Sequence, residues 1–183
     1  MEIPVKNFSI IDAFRTHYGK KPAYLASAPG RVNLIGEHTD YNGFPVLPIA
    51  IPYSIRAAIS PRDDHIVRIR NTGAVYPPRE FGLAEKIPHS TPGDWANYVK
   101  AAASRLVEEF GAGLRGMDVL FEGDIPDLAG LSSSSALVVA SALSLLAANG
   151  LEHNPVELAE MMAEGERYVG TQGGGASISE VAR

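Results

Sequence analysis

The sequence predicts an α+β domain, a sheet backed by helices, on three observations. Strand-like apolar runs fill its first half, helical apolar spacing dominates its second, and 183 residues at 45% hydrophobic and 20% charged suffice for one substantial core. Asn7–Tyr18 places Phe8, Ile11, Phe14 and Tyr18 at helical spacing, with Gly19 as terminator. Ala23–Ser27, Pro45–Ser60 and Ile66–Arg70 read as strands, partly alternating polar with apolar residues, and suggest an antiparallel meander. Pro77-Pro78, Pro88 and Pro92-Gly93 break the next stretch into loop, after which Asp94 caps a helix carrying Trp95, Tyr98, Val99, Ala102 and Leu106 and closed by Gly111 and Gly113. Met117–Phe121 is a short apolar strand. A loop through Gly130 then leads into a buried helix, Ala136–Asn149, ended by Gly150. Asn154 followed by Glu157 forms a capping-box pattern for a last helix, Val156–Tyr168.

Composition narrows the function classes. A formal net charge of −5, without a Lys/Arg cluster, argues against a nucleic-acid or anionic-membrane surface. The absence of Cys removes disulfides and thiolate metal sites, and Met1-Glu-Ile-Pro lacks the features of a signal peptide, so a cytoplasmic protein is expected. The apolar stretch Ala136–Ala148 is too short to span a bilayer.

Residues 28–43 gather Arg31, Glu37, His38, Asp40 and two Asn between three glycines, on what reads as a turn between two strands. Carboxylates that bridge neighbouring hydroxyls beside a His that both donates and accepts suit a sugar. Arg31 offers a permanent charge suited to a phosphoryl group in transfer. A bare ion-pair network could also hold such a turn, but grouped polar residues on rigid elements favour recognition. A second constellation, Gly130, Leu131, Ser132, Ser133, Ser134 and Ser135, stands at a helix start, where unpaired N–H groups and a partial positive charge attract phosphate. An isolated Ser run would be an N-cap and nothing more; the first constellation gives it a ligand. It is not a Walker loop, having no Gly-Lys-Ser/Thr. Glu166 on the last helix could hold Mg²⁺ with a Ser hydroxyl, represented here by Ser134, and phosphate oxygens, or could simply pair with a neighbouring cation. His17, His65, His89 and His153 show no metal-ligand spacing and read as surface residues; Trp95 reads as core.

Together, Ala28-Pro-Gly-Arg-Val-Asn-Leu-Ile-Gly-Glu-His-Thr-Asp-Tyr-Asn-Gly and Gly130-Leu-Ser-Ser-Ser-Ser-Ala resemble the galactokinase branch of the GHMP small-molecule kinases. The first stretch resembles the galactokinase signature almost residue for residue, and the serine loop resembles that of the wider superfamily. The Glu-Arg-Tyr-Val-Gly-Thr-Gln-Gly-Gly-Gly segment looks like the eukaryotic-type and N-acetylgalactosamine-kinase subgroup. This resemblance implies the N-terminal GHMP domain over residues 1–183, with a ribosomal-protein-S5-domain-2-like mixed or antiparallel sheet, and a C-terminal GHMP domain absent. It implies ATP and Mg²⁺ as cofactors and transfer of the γ-phosphoryl to the anomeric hydroxyl of galactose. Glu37, His38 and Asp40 would bind the sugar, Arg31 would stabilise transferred charge, Gly130–Ser135 would wrap the phosphates, and Glu166 would hold Mg²⁺.

Three departures accompany the likeness. Gly175 runs directly into Ala176-Ser177-Ile178-Ser179 where relatives insert Met-Asp-Gln, whose Asp is their proposed catalytic base. The chain ends before the family's second domain. Asp127 and Leu128 stand where relatives often carry Gly and no acid. The chain alone is therefore expected to have little activity, and a non-catalytic galactose/ATP-binding regulator, or a kinase for N-acetylgalactosamine or arabinose, are the alternatives.

Overall fold

The computed structural model describes residues 7–35, 47–126, 131–165 and 169. In chain order the elements are α1 (Asn7–Tyr18), β1 (Tyr24–Ile35), β2 (Leu47–Pro61), β3 (Ile66–Asn71), β4 (Arg79–Gly82), α2 (Ala96–Phe110), β5 (Met117–Gly123), α3 (Ser133–Asn149) and α4 (Pro155–Gly165). The strands form one sheet in the order β1-β2-β5-β3-β4. This confirms the α+β reading and corrects the meander: β2 and β3 are not neighbours, because β5 lies between them, antiparallel to β2 and parallel to β3. A parallel pair needs a crossover, and β4 with α2 supplies it.

The central position of β5 follows from its sequence. Met117, Val119 and Phe121 enter the main core with α2 and α3, while Leu120 turns to the opposite face and meets Ile10, Phe14 and Ala58. Residues alternate sides along a strand, so a strand apolar at both parities is buried on both faces. The α3 sequence is apolar on nearly every side, and it packs on β1, β2, α2 and α4 accordingly. Among the described residues no helix is long and apolar enough to cross a membrane.

Several boundaries differ from expectation. β1 runs on to Ile35, so Arg31 and Asn33 lie on a strand and not on a turn. A short edge strand, β4, forms within the stretch expected as loop, since Phe81 (opposite Val67) gains the core while its neighbours remain exposed. Asp94 does cap: its Oδ1 accepts the Ala96 N–H at 3.0 Å, just ahead of α2. α3 starts one turn before Ala136, bringing Ser133, Ser134 and Ser135 into the helix. Asn154 Oδ1 accepts the Val156 and Glu157 N–H groups, as the capping pattern requires. The end expected for the last helix, residues 166–168, lies outside the described residues.

The face opposite α2 and α3 is fastened by charge as well as packing. Asp118, almost fully buried, takes Lys20 Nζ at 2.7 Å and Arg62 at 3.0 Å, and Arg62 also grips Asp64. Gly116 donates to the Asp64 carbonyl, and a Cβ there would meet the Ile66 carbonyl oxygen at 2.0 Å. Only glycine permits that approach.

Two outcomes follow from this packing. Phe14, with no exposed surface, fills the space between α1 and the sheet, so Phe14→Ala should cost about 3–5 kcal/mol in urea unfolding. The Arg62 guanidinium holds the Asp64 carboxyl well below the usual carboxylate range; burial opposes this, and the Ile66 N–H reinforces it. Because the folded value is depressed, the unfolded chain binds the proton first as pH falls. Stability should be flat near neutrality and decline below about pH 4, more shallowly in Asp64→Asn, in denaturation series across pH.

Candidate functional site

Where β1 passes the start of α3, the β1–β2 ladder is irregular. Pro29 pairs with Ser54 and Arg31 with Ala50, leaving Gly30 between the two registers. A Cβ on Gly30 would lie 2.9 Å from the Leu131 carbonyl oxygen and 3.1 Å from the Cδ1 atoms of Ile125 and Ile51. With no side chain in the way, the Arg31 N–H donates to that Leu131 carbonyl at 3.1 Å. One backbone hydrogen bond thus joins the strand carrying Arg31 to the segment that leads into the serine helix.

Beyond Leu131 the chain enters the left-handed region at Ser132 (φ 56°, ψ 41°), the one non-glycine residue with positive φ among those described, and turns right-handed from Ser133. Its carbonyl accepts the Ala136 N–H at 3.0 Å, while its hydroxyl makes no capping bond. A left-handed residue leading into a helix turns successive N–H groups toward one concavity, the geometry of a backbone anion nest. The helix ladder does not reach the first-turn N–H groups, and the helix dipole adds about half a positive charge. The arrangement is suited to phosphate.

Ser133 and Ser134 open onto a cavity of about 430 Å³, a volume suited to a small-molecule ligand. Trp95, Tyr76 and Tyr98 line it too, together with Asn71 and Thr72. The Trp95 indole N–H donates to the Pro77 carbonyl at 2.9 Å, and its ring stands edge-on to Phe121 at 6.2 Å. The β3–β4 loop bearing Tyr76 is anchored too, with Thr72 N–H on the Phe121 carbonyl and Gly73 N–H on Asn71 Oδ1. An anion nest and fixed aromatic rings lining one cavity suit a ligand with a phosphate chain and a planar base.

Of the residues singled out in the sequence, Arg31 lies half-buried on β1, and Leu131 with Ser132–Ser135 forms the start of α3 beside it. Glu37, His38, Asp40, Gly130 and Glu166 lie outside the described residues, as do Asp127 and Leu128. His17, His65, His89 and His153 are exposed, and no group of three or more His, Asp or Glu among the described residues is placed to hold a metal. Trp95 is core, as expected, yet it also lines the cavity, and the sequence reading missed that second role along with Tyr76 and Tyr98. The spacing of Trp95 and Tyr98 at a helix start was the available signal.

Two family models match this chain: the galactokinase galactose-binding signature over residues 12–61 and the GHMP kinases N terminal domain over residues 97–180. Galactokinase of Candida maltosa is 38% identical over 173 residues, spanning 91% of this chain and 81% of that protein. The chain belongs to the galactokinase family. Galactokinase of Candida parapsilosis is 39% identical and spans 91% of this chain but 35% of its own length, so the chain covers about a third of that relative. Lactococcus lactis galactokinase, solved with galactose, superposes with a TM-score of 0.86 over 96% of this chain and 46% of its own, at 28% identity. Methanococcus jannaschii mevalonate kinase shares the fold, with a TM-score of 0.74 at 18% identity, over 87% of this chain and 50% of its own.

The close approach at Gly30 is testable without any ligand. Gly30→Ala should destabilise by about 1–3 kcal/mol through overpacking against Leu131. Gly113→Ala, where nothing lies within 4 Å, should stay within about 0.5 kcal/mol in the same denaturation experiment.

Proposed function

We propose that this galactokinase-family chain forms the sugar- and nucleotide-facing part of an ATP-dependent kinase that phosphorylates galactose at its anomeric hydroxyl, acting in the cytoplasm. The observation that carries the reading is the Arg31 N–H bond to Leu131, which holds the galactose-signature strand against the serine helix. In this reading the nest at Ser132–Ser135, with Gly130, takes the phosphates, and the cavity walled by Trp95 and Tyr98 takes the base. Glu37, His38 and Asp40 hold the sugar hydroxyls and orient the anomeric oxygen toward the γ-phosphorus.

In the reaction a bond forms between the anomeric oxygen and the γ-phosphorus, the bond to the bridging β,γ-oxygen breaks, and ADP departs with the electron pair. Arg31 supplies fixed positive charge beside the phosphoryl oxygens as they pass between the two, and positioning with electrostatics carries most of the catalysis. Mg²⁺, held by phosphate oxygens with Ser134 and Glu166, would supply further charge neutralisation; a hard cation that keeps several of its waters fits so sparse a protein donor set. The Asp that relatives carry in Met-Asp-Gln, their proposed acceptor of the hydroxyl proton, is missing here, since Gly175 leads straight into Ala176. That departure favours a second reading, a regulator that binds galactose and ATP without turnover.

Calorimetry and a coupled ADP-release assay separate the two. The full chain should bind galactose in the presence of MgATP, with turnover about 10²–10⁴-fold below that of a version with Met-Asp-Gln inserted after Gly175 and joined to the Candida parapsilosis segment that this chain does not match. Binding without turnover in the repaired protein would favour the regulator. Absence of galactose binding would sink both, and parallel titrations with N-acetylgalactosamine and arabinose assign the sugar. Trp95→Ala should weaken ATP binding by about tenfold or more through loss of an aromatic wall.

A further inference from the structure

On the other face of the sheet, between the last turn of α1 and strands β3 and β4, lies a cleft of about 570 Å³. Along β3 the core residues Val67 and Ile69 alternate with Arg68 and Arg70, so both arginines lie on the side away from α2 and α3. The sheet itself separates this cleft from the serine helix. Its lining contains four cations, Lys20, Arg68, Arg70 and Arg79, against two carboxylates, Glu80 and Asp118. Such a concentration stands out on a chain of net charge −5.

Most of these cations are already engaged: Lys20 with Asp118, Arg68 with Glu80 and Arg79 with Asp94. Arg70 differs. Among the described residues no carboxylate pairs with it, and its guanidinium lies over the Tyr18 ring, 5.8 Å from the centroid. Tyr18 is itself fixed, its hydroxyl 2.9 Å from the Val119 carbonyl and 3.1 Å from that of Arg68. A guanidinium supported on an aromatic face keeps its planar fork of donors available for a tetrahedral oxyanion. The C-terminal end of α1 contributes about half a negative charge, less than the excess of cations over carboxylates in the lining.

We infer that this cleft is a second anion site, built to take a phosphomonoester of a small polar molecule, with Arg70 as the principal phosphate ligand. The volume sets the size class: a bare phosphate would fill a small part of it, leaving room for an uncharged body against Pro78 and the Tyr18 ring.

Amide and arginine side-chain NMR on the full chain tests the assignment at constant ionic strength, with inorganic phosphate, glucose 6-phosphate, AMP and, as an uncharged control, glucose. Glucose 6-phosphate or AMP should give saturable shifts at Tyr18, Gly19 and the Arg70 Nε–H, tighter than inorganic phosphate, and glucose none. Arg70→Gln should weaken that binding about tenfold with an unchanged thermal midpoint, and Arg68→Gln, kept as a second variant should Arg70→Gln fail to fold, should weaken it as well. Shifts confined to Ser133–Leu137, a response to every salt alike, or wild-type affinity in the folded arginine variants would overturn the proposal.

Discussion

The structure depends on one close backbone approach. At Gly30 the signature strand comes near enough to the loop before α3 for the Arg31 N–H to bond the Leu131 carbonyl, at a distance that any side chain would prevent. A single neutral hydrogen bond contributes only about 1 kcal/mol. Its importance is geometric. It sets the relative position of two segments a hundred residues apart, the strand that carries Arg31 and the helix start that presents unpaired N–H groups. The left-handed backbone at Ser132 follows from the same requirement, since the chain must leave Leu131 and turn directly into α3.

Behind this approach stands the two-sided burial of β5. Phe121 packs against Trp95 on the helix side, and Leu120 meets Phe14 on the α1 side, so one strand ties the cavity wall to the back of the sheet. The two faces are chemically unlike. The α2/α3 face is mainly apolar, whereas beyond α1 the opposite face is a field of paired charges in which Arg70 lacks a carboxylate among the described residues.

Much of this was legible in the sequence, and the exceptions have physical causes. α1 was read to its observed ends because its apolar spacing and Gly19 are local signals; Gly19 takes positive φ and donates to the Arg15 carbonyl. The position of β5 was not, because strand order is decided by non-local pairing that no short window records. β4 escaped notice beside Pro77-Pro78, where one buried Phe81 carries the strand. Residues 28–35 read as a turn because Pro29, Gly30 and the polar Arg31 and Asn33 mask a ladder made by backbone groups, which are blind to side-chain type. The serine run reads as a helix start, while the aromatic residues lining the same cavity go unread because Trp95 serves core and cavity at once.

Amide hydrogen exchange is the most direct test of the central claim that the signature strand and the serine helix form one ligand-binding unit. In the free chain the Arg31 amide should already be protected through its bond to Leu131, and addition of MgATP should slow exchange at Arg31, Ser133 and Ser134 together. An Arg31 amide exchanging at the rate of an unfolded chain, or protection by MgATP that leaves Ser133 and Ser134 unchanged, would contradict it.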